Sequence, residues 1–253
     1  MTVFDIMGLM ATIALAIPVI LIILFKLAWY RSFPALLVYY LFLFSYNIVL
    51  LQYLNAGSSV LSYHLLLNNF LNAPLTLFFL TYFCATTYLK RNMLFVIGAF
   101  VLLEVVSIII LGFNGKAAQI VILPGFVLTL GFALFFFIPQ LKLTIVHHKG
   151  IGKALILSSL FFATMGYGYT FSVLNFVDSK YKGDAQLVFF AVSILSALSI
   201  SAGLYVEQKR IRQLEELKTT REELKALYGE EEGAKENAAF GAVTLNFDKE
   251  QWN

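Results

Sequence analysis

Ala185-Gln-Leu-Val-Phe-Phe-Ala-Val-Ser-Ile-Leu-Ser-Ala-Leu-Ser-Ile-Ser-Ala-Gly-Leu-Tyr-Val206 contains no charged side chain, and the next six residues, Glu207-Gln-Lys-Arg-Ile-Arg212, contain four. A predominantly apolar run of about 20 residues is what a helix needs to cross the hydrocarbon core of a bilayer. The abrupt change at Val206 therefore reads as a helix leaving the membrane for water. Working back toward the N-terminus, comparable runs occupy residues 6–27, 34–54, 62–89, 93–113, 118–145 and 153–176, and with 184–206 they make seven. The breaks hold turn and charge residues: Lys26 to Pro34, Asn55-Ala-Gly-Ser-Ser, Lys90-Arg-Asn, Asn114-Gly-Lys, His147-His-Lys-Gly-Ile-Gly-Lys and Asp178-Ser-Lys-Tyr-Lys-Gly-Asp. The fifth run is long enough to tilt or to continue as helix past the interface. The expected fold is an all-α bundle of seven transmembrane helices.

Composition agrees. The chain is 60% hydrophobic and 13% charged, with a mean hydropathy of +0.81, whereas soluble domains carry about 25% charged residues. A soluble enzyme, a nucleic-acid reader and a disordered chain are excluded on this ground. The net +3 divides into +6 on residues 1–206 and −3 on residues 207–253, so the basic pI implies no nucleic-acid partner. A single cysteine, Cys84, rules out an internal disulfide or a CxxC metal site.

Lys and Arg in short loops set orientation. The first, third and fifth connections and the end of the seventh span carry Lys26, Arg31, Lys90, Arg91, Lys142, Lys149, Lys153, Lys209, Arg210 and Arg212. The second, fourth and sixth carry Lys116, Lys180 and Lys182. The N-terminus is expected outside and the C-terminus in the cytoplasm. Trp29, Tyr30, Tyr53, Tyr63, Tyr88 and Tyr181 fall near span ends, as interfacial anchors do. Met1-Thr-Val-Phe-Asp lacks a basic region, and the first span is expected to be retained rather than cleaved.

Three segments follow: a transmembrane domain at 1–206, a cytoplasmic helix at 207–229 and a flexible acidic tail at 230–253. Glu207–Tyr228 has neither Gly nor Pro and is rich in helix formers. Leu214, Leu217, Leu224 and Leu227 give it a stripe of barely two heptads, short of a coiled-coil assignment. It reads as a solvated surface helix or as a dimerising or signalling one. Phe240 to Phe247 alternates weakly, and with Trp252 it is a candidate docking segment.

Polar side chains inside spans are costly and mark sites. Glu104 is the one acid in a span interior, near the middle of the fourth. It reads either as a neutral acid bonding between helices or as a group that couples to protons or cations or contacts a ligand, with Ser107 one turn away. On the third span His64, Asn68 and Asn72 recur every four residues and form one stripe, with Asn69 beside it and Pro74 below. Alternation of direction brings Asn72 to the depth of Glu104, so the two are expected to meet. Asn47 and Gln52 on the second span, and Tyr167, Tyr169 and Asn175 on the sixth, add polarity on the same side. The set Glu104, Asn72, Asn68, His64, Asn47 and Tyr167 is read either as lining an outward cavity or as a buried network joining helices. Ser193, Ala197 and Ser201 predict close packing of the seventh span.

No lysine stands in the seventh span for a retinal linkage, and neither GxSxG, HExxH nor a P-loop occurs. No catalytic residue, metal ligand or cofactor is assigned. His147-His148 lacks further ligands at metal spacing.

Seven spans with an outside N-terminus and the charged helix Glu207–Tyr228 resemble the bacterial membrane sensor modules that precede histidine-kinase or DNA-binding domains. About 45 residues after the last span are fewer than an effector domain needs. The resemblance implies a bacterial cytoplasmic membrane protein that senses a ligand or the membrane and passes the change to a cytoplasmic protein through 207–253, or to a second copy of itself. Ile138-Pro-Gln-Leu followed by His148-Lys-Gly resembles the Pro-Gln signature of PQ-loop and sugar-transporter bundles, with Ile17-Pro-Val as the counterpart in the first half and Val19 in place of Gln. That resemblance implies a small-solute transporter. A structural subunit of a membrane complex is the third expectation.

Overall fold

A computed structural model describes residues 3–51, 57–147, 150–176 and 181–240. Among them the chain forms seven α-helices and no strand: α1 (Val3–Leu24), α2 (Phe33–Leu50), α3 (Ser58–Leu80), α4 (Thr87–Leu111), α5 (Gly115–His147), α6 (Ile151–Phe176) and α7 (Lys182–Phe240). All seven are long and apolar enough to cross a membrane. Gln52, Tyr53, His148, the Asp178–Lys180 segment and everything after Phe240 lie outside the described residues, as do the side chains of His147 and Asn175.

The helix boundaries follow local chemistry. Pro34 stands in the first turn of α2, where its missing N–H costs nothing. Asn114 joins α4 to α5: its Nδ2 donates to the Leu111 carbonyl at 2.5 Å and its Oδ1 accepts from the Ala117 N–H at 3.0 Å. The third connection differs from expectation. α3 stays helical through Pro74, tightens into a 3-10 turn at Thr81–Phe83 and stops. Thr86 then caps α4 by accepting the Leu89 N–H at 3.2 Å. The break is thus at 84–86, and Lys90 and Arg91 belong to the exposed early turns of α4. A capping threonine, not the charge pair, marks the start.

Neighbour contacts give the arrangement. α1, α2, α3, α5, α6 and α7 close into a ring in that order, with α7 against α1, and α4 packs principally outside it on α3 and α5. Phe4 meets Phe190 and Phe25 meets Tyr205, so α1 and α7 run in the same direction. Phe70–Phe113 and Phe83–Phe136 contacts show the same for α3 and α5. One end of the bundle carries the second, fourth and sixth connections and is poor in Lys and Arg. The other, basic, end carries the first, third and fifth. At the basic end Phe33, Phe79, Tyr82 and Phe83 interlock edge to face, with ring centroids 5.0–5.7 Å apart in the closest pairs, the favoured geometry for aromatic quadrupoles.

α7 is continuous from Lys182 to Phe240, past Gly229, where the sequence places the end of its helix. Its packed part also reaches beyond Val206: Glu207 and Ile211 are buried, whereas Leu214, Leu217 and Leu224 are exposed.

Candidate functional site

Beneath the Lys/Arg-poor end, inside the ring, lies a cavity of about 330 Å³ bounded by α2, α3, α5, α6 and α7. That is within the range of small-molecule sites. Asn68 and Asn72 of the third-span stripe line it, as does Tyr167, together with Asn69, Gln119, Thr170 and Gln186. Leucines of α2 and α3, Ile122, Phe171 and Phe189 supply the apolar wall. Three of the six expected site residues therefore converge.

The other three do not reach it. His64 points at α2: its Nε2 is 3.0 Å from the Ser45 hydroxyl, and its ring stacks parallel to Tyr46. Asn47 is fully buried and turns toward α1, its Nδ2 donating to Thr12 Oγ1 at 2.8 Å and to the Gly8 carbonyl at 3.2 Å. Both residues join helices. Glu104 lies in the single buried stripe of α4, Met93, Ile97, Phe100, Glu104 and Ser107, which faces α3 and α5 from outside the ring. Phe100 marks where that stripe docks, since a Cβ on Gly125 of α5 would stand 2.8 Å from both Phe100 Cζ and Ala73 Cβ of α3. Among the described residues no hydrogen bond joins Glu104 to Asn72, and Glu104 Oε1 is buried without a partner. Ser107 donates instead to the Leu103 carbonyl at 2.8 Å. The expected meeting fails because α4 stands outside the ring, so equal depth does not bring the two side chains face to face.

Two of the lining residues that sequence reading left out are amides, Gln119 and Gln186, each a few residues inside the start of its helix. Asn68 stands about three turns inside α3 and the two glutamines about one turn inside α5 and α7, so counting residues from the span ends does not reveal that they share a cavity.

A second polar cluster closes the basic end. Glu207 has no exposed surface. Its Oε1 accepts from the Tyr82 hydroxyl and from Arg210, at 3.1 Å from Nε and 2.7 Å from an Nη. Lys153 of α6, also buried, places its Nζ 5.3 Å from the Tyr82 ring centroid. Glu207 Oε2 and Gln140 Oε1 are buried and have no hydrogen-bond partner. Sequence reading treated Lys153 as a topology charge and Glu207 as the first residue of the tail. The cluster joins the end of α3, the start of α6 and α7, and periodicity along a single helix gives no sign of it.

Cys84 adjoins this cluster and is buried, its Sγ 3.8 Å from Met93 Sδ. Burial pushes the thiol up to about 11. The thiolate is the reactive form, so maleimide labelling of the folded protein at pH 7 is expected to run on the order of 100-fold slower than for a free cysteine, rising about tenfold per pH unit toward pH 10. Labelling at the free-thiol rate at pH 7 would mean that the turn at 84–86 opens readily.

Comparison with known proteins returns no matching family model, no matching curated protein and no matching solved structure.

Proposed function

We propose that the chain is an integral membrane receptor of a bacterial cytoplasmic membrane, with its N-terminus and the cavity on the outer side and the extension of α7 in the cytoplasm. A small molecule occupying the cavity shifts α7, and the exposed helix beyond Arg212 passes that change to a cytoplasmic protein. One observation carries this reading: α7 contributes Gln186 and Phe189 to the cavity wall, anchors Glu207 in the charged cluster, and continues without a break to Phe240. A rigid helix with a ligand-facing end and a free end gives a binding event a mechanical route out of the bundle. The Lys and Arg bias of the connections supports the orientation.

A transporter is the second reading. The cavity at one end and the buried charged cluster at the other are the layout of a pathway open on one side.

Complementation of a deletion strain separates the two. The truncation must come after Arg212, because cutting at Val206 would also remove Glu207, Arg210 and Ile211 from the packed bundle. A chain ending at Arg212 is expected to remain folded and to lose the physiological output, and Asn72→Leu is expected to do the same. If the truncated chain restores the output in full, the receptor reading fails and the transporter reading stands.

A further inference from the structure

The lining of the cavity restricts what it can hold. Among the described residues no Asp, Glu, Lys, Arg or His borders it, and an ion held by these residues alone would lose its hydration with no countercharge to replace it. Asn68, Asn69, Asn72 and Gln186 place four side-chain amides on the lining. Each amide offers two donor hydrogens and an acceptor oxygen to a polar group that enters the cavity; Asn68 is buried and Asn69, Asn72 and Gln186 are half-buried. The rest of the wall, Ile122 and Phe189 among it, is apolar. The occupant that satisfies both halves is uncharged, has donors and acceptors at one end and hydrocarbon at the other.

We infer that the cavity binds a neutral amphiphile whose head carries carboxamide or hydroxyl groups. The inference rests on the cavity being a binding site, as the receptor reading holds, and adds the chemical class of what fills it. The four amides of Asn68, Asn69, Asn72 and Gln186 take the head, and Ile122 and Phe189 take the chain. Charged amphiphiles of the same length are disfavoured because none of the described lining residues can compensate their charge.

The test uses the full chain in lipid nanodiscs and a diazirine-bearing octanamide as photoprobe, with labelled peptides mapped by mass spectrometry. Saturable labelling of peptides from α3 and α7 is expected. Unlabelled octanamide should compete at least about tenfold better than octanoate or octylammonium, equivalent to about 1.4 kcal/mol. Asn72→Leu and Gln186→Leu, on separate helices, should each reduce labelling about fivefold or more while the protein remains monodisperse, so that misfolding of one variant leaves the other as a test. Equal or better competition by octanoate or octylammonium would overturn the ligand class and leave the receptor reading intact. Labelling confined to lipid-facing positions such as Ile109 and Ile110, with no saturable component in the cavity from any of the three head groups, would overturn both.

Discussion

Glu207→Ala is expected to destabilise the bundle by about 2 kcal/mol, less than the about 3–5 kcal/mol lost when a fully buried pair is broken, because Arg210 keeps 27% of its side-chain surface exposed. The carboxylate is fully buried and accepts from Tyr82 and Arg210. Its loss leaves the Tyr82 hydroxyl without its acceptor in a packed aromatic setting and removes the negative charge nearest Arg210, beside a buried Lys153. Glu207→Gln keeps the shape and one acceptor and should cost less than the alanine variant. Tyr82→Phe removes a single hydrogen bond and should cost about 1 kcal/mol. Denaturant titration in bicelles measures all three. A loss below about 1 kcal/mol for Glu207→Ala would place the cluster with solvent-exposed pairs, which contribute little, and the proposed anchoring of α7 would fall with it.

Gly152→Ala is expected to force α6 and α7 apart. A Cβ at residue 152 would stand 2.8 Å from the Glu207 nitrogen, 3.0 Å from the Gly203 carbonyl oxygen and 3.1 Å from Glu207 Cα. All three obstacles are backbone, so no side chain can rotate out of the way. Overpacking of this kind costs about 1–3 kcal/mol, and here it also displaces the residue that holds the charged cluster together. The same methyl at Gly98, which has open space around it, should cost only what helix propensity allows and serves as the control. Equal thermal stability of Gly152→Ala and Gly98→Ala in detergent would show that the close crossing of α6 and α7 is not under such constraint.

The helices were legible because hydrophobic length is a one-dimensional property. Predominantly apolar runs identify all seven, and the third connection differs where a 3-10 turn and a capping threonine, Thr86, compete with a more conspicuous charge pair. The site was legible only in part. The stripe of Asn68 and Asn72 with Tyr167 was readable, since period and direction of travel together place residues at one level of one side. Which helix neighbours which is a two-dimensional fact that periodicity does not encode. Glu104 meets the outer side of α3 and α5 whereas Asn72 lines the cavity inside the ring, and His64 and Asn47, equally polar, are occupied with α2 and α1. Glu207 was missed for a related reason: a composition boundary at Val206 was treated as a boundary of packing, although the bundle buries one more turn of α7.

α4 stands outside the ring and buries a single stripe, yet it sets the sense of everything after it. α3 and α5 are neighbours that run the same way, and a chain cannot join two such helices without crossing the bundle once more. α4 is that extra crossing. With it, α5, α6 and α7 repeat the up-and-down order of α1, α2 and α3; without it, they would be inverted. Its contribution is parity: an odd number of crossings brings the long extension of α7 out at the end of the bundle opposite the start of α1. Most of α4 can meet that requirement with length and apolarity alone, and Glu104 is the residue on it that neither explains.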